Sequence, residues 1–183
     1  MKKVFLGALI SMGLCFGASI DTSKIEMYWV AYKLANKTAV KGSFSDVSYK
    51  LKKKEGSIKE MLEGASAKIT LSNLSVANPV AKKNLTEGFF SKFASPKIDV
   101  KIIQVMEGEN QGTLLAKVSM NKKSQLIPMQ YTITDGKLQA KGVIDILSFK
   151  LDKALESLIK VCGSLHQGYT WTQVEIGFSA PLQ

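Results

Sequence analysis

Cys162 and His166 are the two residues of this 183-residue chain with the widest chemical reach. A thiol and an imidazole four positions apart share a face when the backbone between them is helical. Such a pair can give a thiolate nucleophile or part of a metal site. His166 is the only histidine, and the second cysteine, Cys15, falls in an N-terminal apolar run. No Asp or Glu stands within three positions of His166 to orient its ring. Gly163 is expected to end the helix carrying Cys162, which leaves Cys162 on an apolar stripe and His166 in a loop. The chain has no phosphate-cradling glycine loop, no haem attachment motif and no paired catalytic carboxylates. The reading is a protein that is not an enzyme, with no metal ligands and no covalent cofactor. A Cys162/His166-dependent metal or redox role remains the third hypothesis.

Charge narrows the partners. There are 25 basic residues against 15 acidic ones, a net charge of +10, and every basic residue is a lysine. Nucleic-acid readers rely on the bidentate guanidinium of arginine, so nucleic acid is excluded as a partner. The lysines read as a solvated surface, with transient contact to an anionic membrane surface as the alternative.

Residues 1–19 have the form of a secretory signal peptide. Lys2 and Lys3 precede an apolar run, 4–16, that is too short to span a bilayer, and Gly17, Ala18 and Ser19 suit a cleavage site. Its removal leaves 164 residues at +8, enough for one domain with a sizeable core. The expected location is the periplasm. Cys162 is then the one remaining cysteine, so no intramolecular disulfide can form.

Four alternating runs dominate the middle of the chain: 97–106, 112–120, 124–134 and 137–147. Glu107-Gly108-Glu109-Asn110, Asn121-Lys122-Lys123 and Asp135-Gly136 separate them, and Asp-Gly between alternating runs signals a tight hairpin. Ile98, Val100 and Ile102 share one face of the first run. Leu114, Ala116, Val118 and Met120 share a face of the second, and Ile127, Met129 and Tyr131 a face of the third. Leu138, Ala140, Gly142 and Ile144 do so in the fourth. Period two over four segments means an antiparallel meander with one apolar face, which must curl onto something or close on itself.

The flanking segments extend this pattern. Run 27–34 is a strand with aromatics on both sides, so parity alone leaves its inward face open; 38–51, 67–76 and 168–182 are further strands. Residues 79–93 are helical or looped around Phe89, Phe90 and Phe93, a knot that suits the plug of an open core end. Residues 149–162 place Leu151, Leu155, Leu158, Ile159 and Cys162 on one helical stripe. Pro128 inside a strand calls for a bulge or an imperfect seam.

Ordered along the chain, several short pieces resemble the YceI-like family of bacterial periplasmic, lipocalin-like proteins. They are Trp29-x-Ala31-x-Lys33, Val40-Lys41-Gly42-Ser43-Phe44, Ile69-Thr70-Leu71 and Leu74-Ser75-Val76-Ala77-Asn78. The Phe89-Phe90 pair, Ile98-Asp99-Val100-Lys101-Ile102, Gly112-Thr113-Leu114, Ile127-Pro128-Met129 and Trp171-x-x-Val174-x-Ile176-x-Phe178 complete the set. Two stretches depart from the family pattern: Lys82-Lys83-Asn84, where a basic-acidic pair is usual, and 149–163, where the family often carries arginine.

The resemblance implies a mainly β fold, a lipocalin-like closed antiparallel barrel of about eight strands with one or two helices, over residues 20–183. It implies a non-catalytic periplasmic carrier of one long apolar chain: a polyisoprenoid, an isoprenoid quinone or a fatty amide. The expected apolar lumen is Trp29, Ala31, Lys33, Ile69, Leu71, Ile98, Val100, Ile102, Leu114, Ala116, Val118, Met120, Ile127, Met129, Tyr131, Leu138, Ala140, Gly142, Ile144, Val174, Ile176 and Phe178. Small residues Ala116, Ala140 and Gly142 are read as leaving room in the middle, and the Lys33 amine either meets a headgroup or snorkels out at the rim. Two matters stay open here: a homodimer, and a solid-cored envelope stress or interaction protein with no small-molecule ligand.

Overall fold

The computed structural model describes residues 17–183, apart from the side chain of His166, so the leader expected at 1–19 lies outside the described residues except for its last three positions. The strands are β1 (Ala18–Ser19), β2 (Glu26–Lys33), β3 (Thr38–Phe44), β4 (Ser48–Lys50), β5 (Glu55–Gly56), β6 (Ser66–Thr70), β7 (Leu74–Ser75), β8 (Lys97–Glu107), β9 (Gln111–Met120), β10 (Lys123–Thr134), β11 (Lys137–Asp145) and β12 (Gln173–Pro181). Among the described residues three α-helices join them: α1 (Ile58–Leu62), α2 (Pro79–Asn84) and α3 (Asp152–His166).

The main sheet is antiparallel, in the order β4-β6-β8-β9-β10-β11-β12-β2-β3-β7. Its two ends belong to the same pair of broken strands. Residues 45–47 link β3 to β4, and Leu71–Asn73 link β6 to β7. β4 pairs with β6 (Ser48↔Lys68) and β3 pairs with β7 (Ser43↔Ser75), offsets that differ by only two residues. Between them the Ser45 amide donates to the Asn73 carbonyl at 2.9 Å. The sheet thus curls round until its edges meet, which gives a lipocalin-like, mainly β fold and leaves no long unpaired edge.

Local chemistry explains the turns. Asp135 (φ 50°) and Gly136 (φ 69°) form the hairpin that Asp-Gly demands, and Asn121 (φ 50°) with Lys122 (φ 59°) forms a second. In β8 the register slips between Ile102 and Gln104. This bulge turns Val105 into the core and leaves Ile103 and Met106 exposed, a change of phase that strict alternation misses. At Pro128 the ladder to β9 continues, but the ladder to β11 stops one residue away, at Met129↔Gly142. Proline has no donor to extend it.

Apart from the short α1 between β5 and β6, the helical segments form two insertions at one end of the barrel, between β7 and β8 and between β11 and β12. Pro79 sits in the first turn of α2, and the Asn78 side chain caps it through the Ala81 amide at 3.0 Å. A π-turn at Leu85–Phe89 and a 3₁₀ turn at Phe90–Lys92 follow. α3 does not stop at Gly163. It runs through to His166, and Gln167 (φ 51°) supplies the left-handed cap instead. The Asn121 side chain ties both insertions down: it accepts from the Ala94 amide at 2.7 Å and donates to the carbonyls of Phe149 (2.9 Å) and Lys150 (3.0 Å). The opposite end is filled by Ile20, Met61, Val105, Leu114, Tyr131, Leu138 and Ala180, all buried.

Candidate functional site

Beneath the helical lid the barrel is hollow. The cavity is about 220 Å³ and its wall is almost wholly apolar. A water-sized group needs roughly 10–15 Å³ of such space, so it takes roughly 15–20 methylene-sized groups. Ala31, Ala65, Ala67 and Ala116 keep the wall back, while Phe89, Phe90, Phe93, Leu151, Leu155 and Leu158 roof it. The roof phenylalanines are packed edge to face, with Phe89–Phe90 centroids 5.2 Å and Phe89–Phe93 centroids 5.1 Å apart. Phe44 on β3 joins the cluster at 5.9 Å from Phe90.

Many of the residues expected in the lumen border this cavity: Trp29, Ala31, Ile69, Ile98, Val100, Ile102, Ala116, Val118, Met120, Met129, Ile144, Val174, Ile176 and Phe178. Others are placed elsewhere. Leu114, Tyr131, Leu138 and Ala140 are buried in the solid end. Leu71 and Ile127 are buried off the cavity. Gly142 leaves no space, because the Met129 side chain lies over it, 2.8 Å from where a Cβ would stand. Lys33 bridges to Thr170 at the lid-end rim, half-buried and outside the wall. Sequence reasoning missed Ala65, Ala67 and Tyr49. Ala67 shares the parity of Ile69 and Leu71 and was legible from that alternation, whereas Ala65 precedes the expected strand and Tyr49 is out of phase with Val40, Gly42 and Phe44.

Glycine and aromatic residues face each other across three strand pairs. Trp29 lies opposite Gly42, Tyr28 opposite Gly177, and Tyr131 opposite Gly112. A Cβ on Gly42 would stand 2.2 Å from the Trp29 ring, so the indole rests flat on bare backbone. Its buried Nε1–H has no hydrogen-bond partner among the described residues. Burial pushes the Tyr28 phenol up, with the Glu175 carboxylate adding to the shift, and burial likewise pushes up the Tyr49 phenol. Both stay neutral near pH 7.

Below the Trp29↔Gly42 pair, the β2–β3 ladder ends. Ser43 and Phe44 pair instead with β7, so β3 peels away from β2 and opens a slit in the barrel wall. A polar pocket of about 420 Å³ fills it, lined by Thr22, Ser23, Glu26, Ser43, Ser45 and Asp46 among others. Ile25, Met27, Phe44 and Tyr49 border both the pocket and the apolar cavity. A greasy chamber with one polar window is thus the arrangement that an amphiphile with a long tail would fit.

The YceI-like domain profile matches residues 19–180. The chain belongs to the YceI-like family. Its fold is similar to three solved structures. Burkholderia cenocepacia BcnA superposes with a TM-score of 0.62 at 13% identity, over 90% of this chain and 99% of that one. A polyisoprenoid binding domain from Saccharophagus degradans, implicated in plant cell wall breakdown, gives 0.62 at 14% identity over 92% and 98%. The Campylobacter jejuni YCEI protein gives 0.60 at 14% identity over 80% and 85%. At these identities the likeness is one of fold. No curated protein matches the sequence.

In this YceI-like chain Cys162 is buried between the lid segments, where the Asn84 amide donates to its Sγ at 3.4 Å. Because α3 continues through Gly163, Cys162 and His166 do lie one helical turn apart, contrary to the expectation of a break between them. The His166 side chain lies outside the described residues. Among the described residues no group of three His, Cys, Asp or Glu side chains is placed to hold a metal ion.

Proposed function

We propose that this protein is a non-catalytic carrier of a long apolar chain, a polyisoprenoid, an isoprenoid quinone or a fatty amide, which it holds in the barrel and carries in the periplasm. One observation supports this most directly: the apolar cavity of about 220 Å³ under the lid, opening towards a polar window. Burial contributes about 0.8 kcal/mol per methylene, so a tail of roughly ten buried methylenes gives about 8 kcal/mol before the costs of ordering it. Few polar contacts are then required. The polyisoprenoid binding domain from Saccharophagus degradans shares the architecture, which favours the same class of ligand. The leader-like residues 1–19 favour export.

The test is organic extraction and mass spectrometry of the protein purified from a bacterial envelope, with its leader intact at expression. A stoichiometric long-chain lipid is the expected result, together with a mature N-terminus near residue 20. Recovery of no lipid, combined with failure to take up added polyprenol, would overturn the carrier reading and favour a protein–protein role for the same fold.

A further inference from the structure

The window has a charge of its own, set against that of the molecule. The chain carries ten more lysines than acids, yet among the described residues no lysine lines the polar pocket at the slit. Its charged lining residues are Glu26 and Asp46. Lys24, next to Ser23 in the chain, pairs with Asp21 at 3.7 Å, and Lys137 pairs with Glu26 at 3.3 Å. Glu26 also accepts from the Ser179 hydroxyl at 3.3 Å. Asp46 makes no ion pair or side-chain hydrogen bond among the described residues, and it sits in a left-handed turn (φ 52°) at the break between β3 and β4. The hydroxyls of Thr22, Ser23, Ser43 and Ser45 make up most of the remaining polar lining.

A tail lying in the cavity and leaving past Ile25, Met27, Phe44 and Tyr49 brings its headgroup into this pocket. There it meets hydroxyls, which both donate and accept, and two carboxylates, which only accept. A phosphate or carboxylate would face the Asp46 carboxylate, which has no cation beside it among the described residues, whereas the Glu26 charge is offset by Lys137. An alcohol can donate to Asp46 and exchange hydrogen bonds with the serines. Resting on the carrier reading, we propose that the slit between β2 and β3 is a headgroup site for uncharged hydroxyl-type groups, and that the unpaired Asp46 rejects anionic ones.

The rim at the lid end is the contrasting environment. Lys37 lies 4.5 Å from the Trp171 ring centroid, Lys33 stands nearby in sequence, and Thr170 and Trp171 border the cavity.

The experiment compares oleyl alcohol, oleic acid and oleyl phosphate, which share one tail, by displacement of a fluorescent fatty probe from the full mature protein at neutral pH. The alcohol is expected to bind about tenfold more tightly than either anion, the order of effect of one unrelieved like charge in a partly wet site. Asp46→Asn keeps a residue that tolerates the left-handed turn and removes the charge. It should raise affinity for the acid and the phosphate several-fold and leave the alcohol within about twofold. Glu26→Gln serves as the second variant and should act in the same direction. Equal binding of all three lipids, or anion binding that Asp46→Asn leaves unchanged and Lys37→Ala abolishes, overturns the headgroup assignment while the carrier reading survives. Failure of every lipid to displace the probe, with a correctly folded protein, defeats the carrier reading itself.

Discussion

Filling the cavity from its own wall gives the most demanding test of the hollow barrel. Ala116 on β9 is fully buried, pairs with Ile102 and Ile127, and borders the cavity. Ala116→Leu adds about three carbon atoms, which at about 0.8 kcal/mol per methylene displace about 2.4 kcal/mol of ligand burial. Affinity for a long-chain alcohol should therefore fall about 50-fold, since 1.4 kcal/mol is tenfold. Stability of the ligand-free protein should move the other way. The new side chain enters empty apolar space, so the midpoint of urea unfolding should hold or rise, where a close-packed site would lose about 1–3 kcal/mol to overpacking. The assay is paired: probe displacement for affinity, urea titration for stability. A folded Ala116→Leu protein with undiminished affinity would place the ligand elsewhere. A strongly destabilised one would show that the space is not empty.

Three other outcomes are expected. Gly42→Ala drives a Cβ to within 2.2 Å of the Trp29 ring, so the indole must swing towards the cavity; both stability and lipid affinity should drop, the former by about 1–3 kcal/mol, read by urea unfolding and probe displacement. Asn121→Ala frees the Ala94 amide and the Phe149 and Lys150 carbonyls, and it should speed lipid dissociation and raise amide exchange in both lid segments, with a stability cost of about 1–3 kcal/mol. Acid should loosen the α1 corner first. The Glu60 carboxyl is held below its ordinary value of 4.5 by hydrogen bonds from Lys53 and the Ser57 amide, and that of Glu63 by those from Lys59 and the Val105 amide. A depressed folded value means the stabilisation is present at neutral pH and is lost as pH falls below 4.5. Hydrogen exchange of the α1 amides against pH measures it, and exchange that does not change between pH 6 and about pH 3 would refute the assignment.

The sequence by itself determined the meander, because a period of two is a property of the strand alone and the Asp135-Gly136 turn needs backbone angles that few other residue pairs adopt. It also determined which faces are apolar, and hence that the sheet must curl; the ordered short pieces then pointed to the YceI-like family. Tertiary structure alone decided where that apolar face is solid and where it is empty. Leu114, Tyr131 and Leu138 obey the same alternation as Ala116, Val118 and Met129, yet the first three fill one end and the others border the hollow. Alternation records the side of a strand, not the distance to the strand across the barrel. Three local events were equally out of reach: the bulge at Ile103 that reverses the phase of β8, the passage of α3 through Gly163, and the departure of β3 from β2 below Gly42. Each is settled by pairing partners remote in sequence, which a single strand's pattern does not encode. The slit and its charge follow from the last of them.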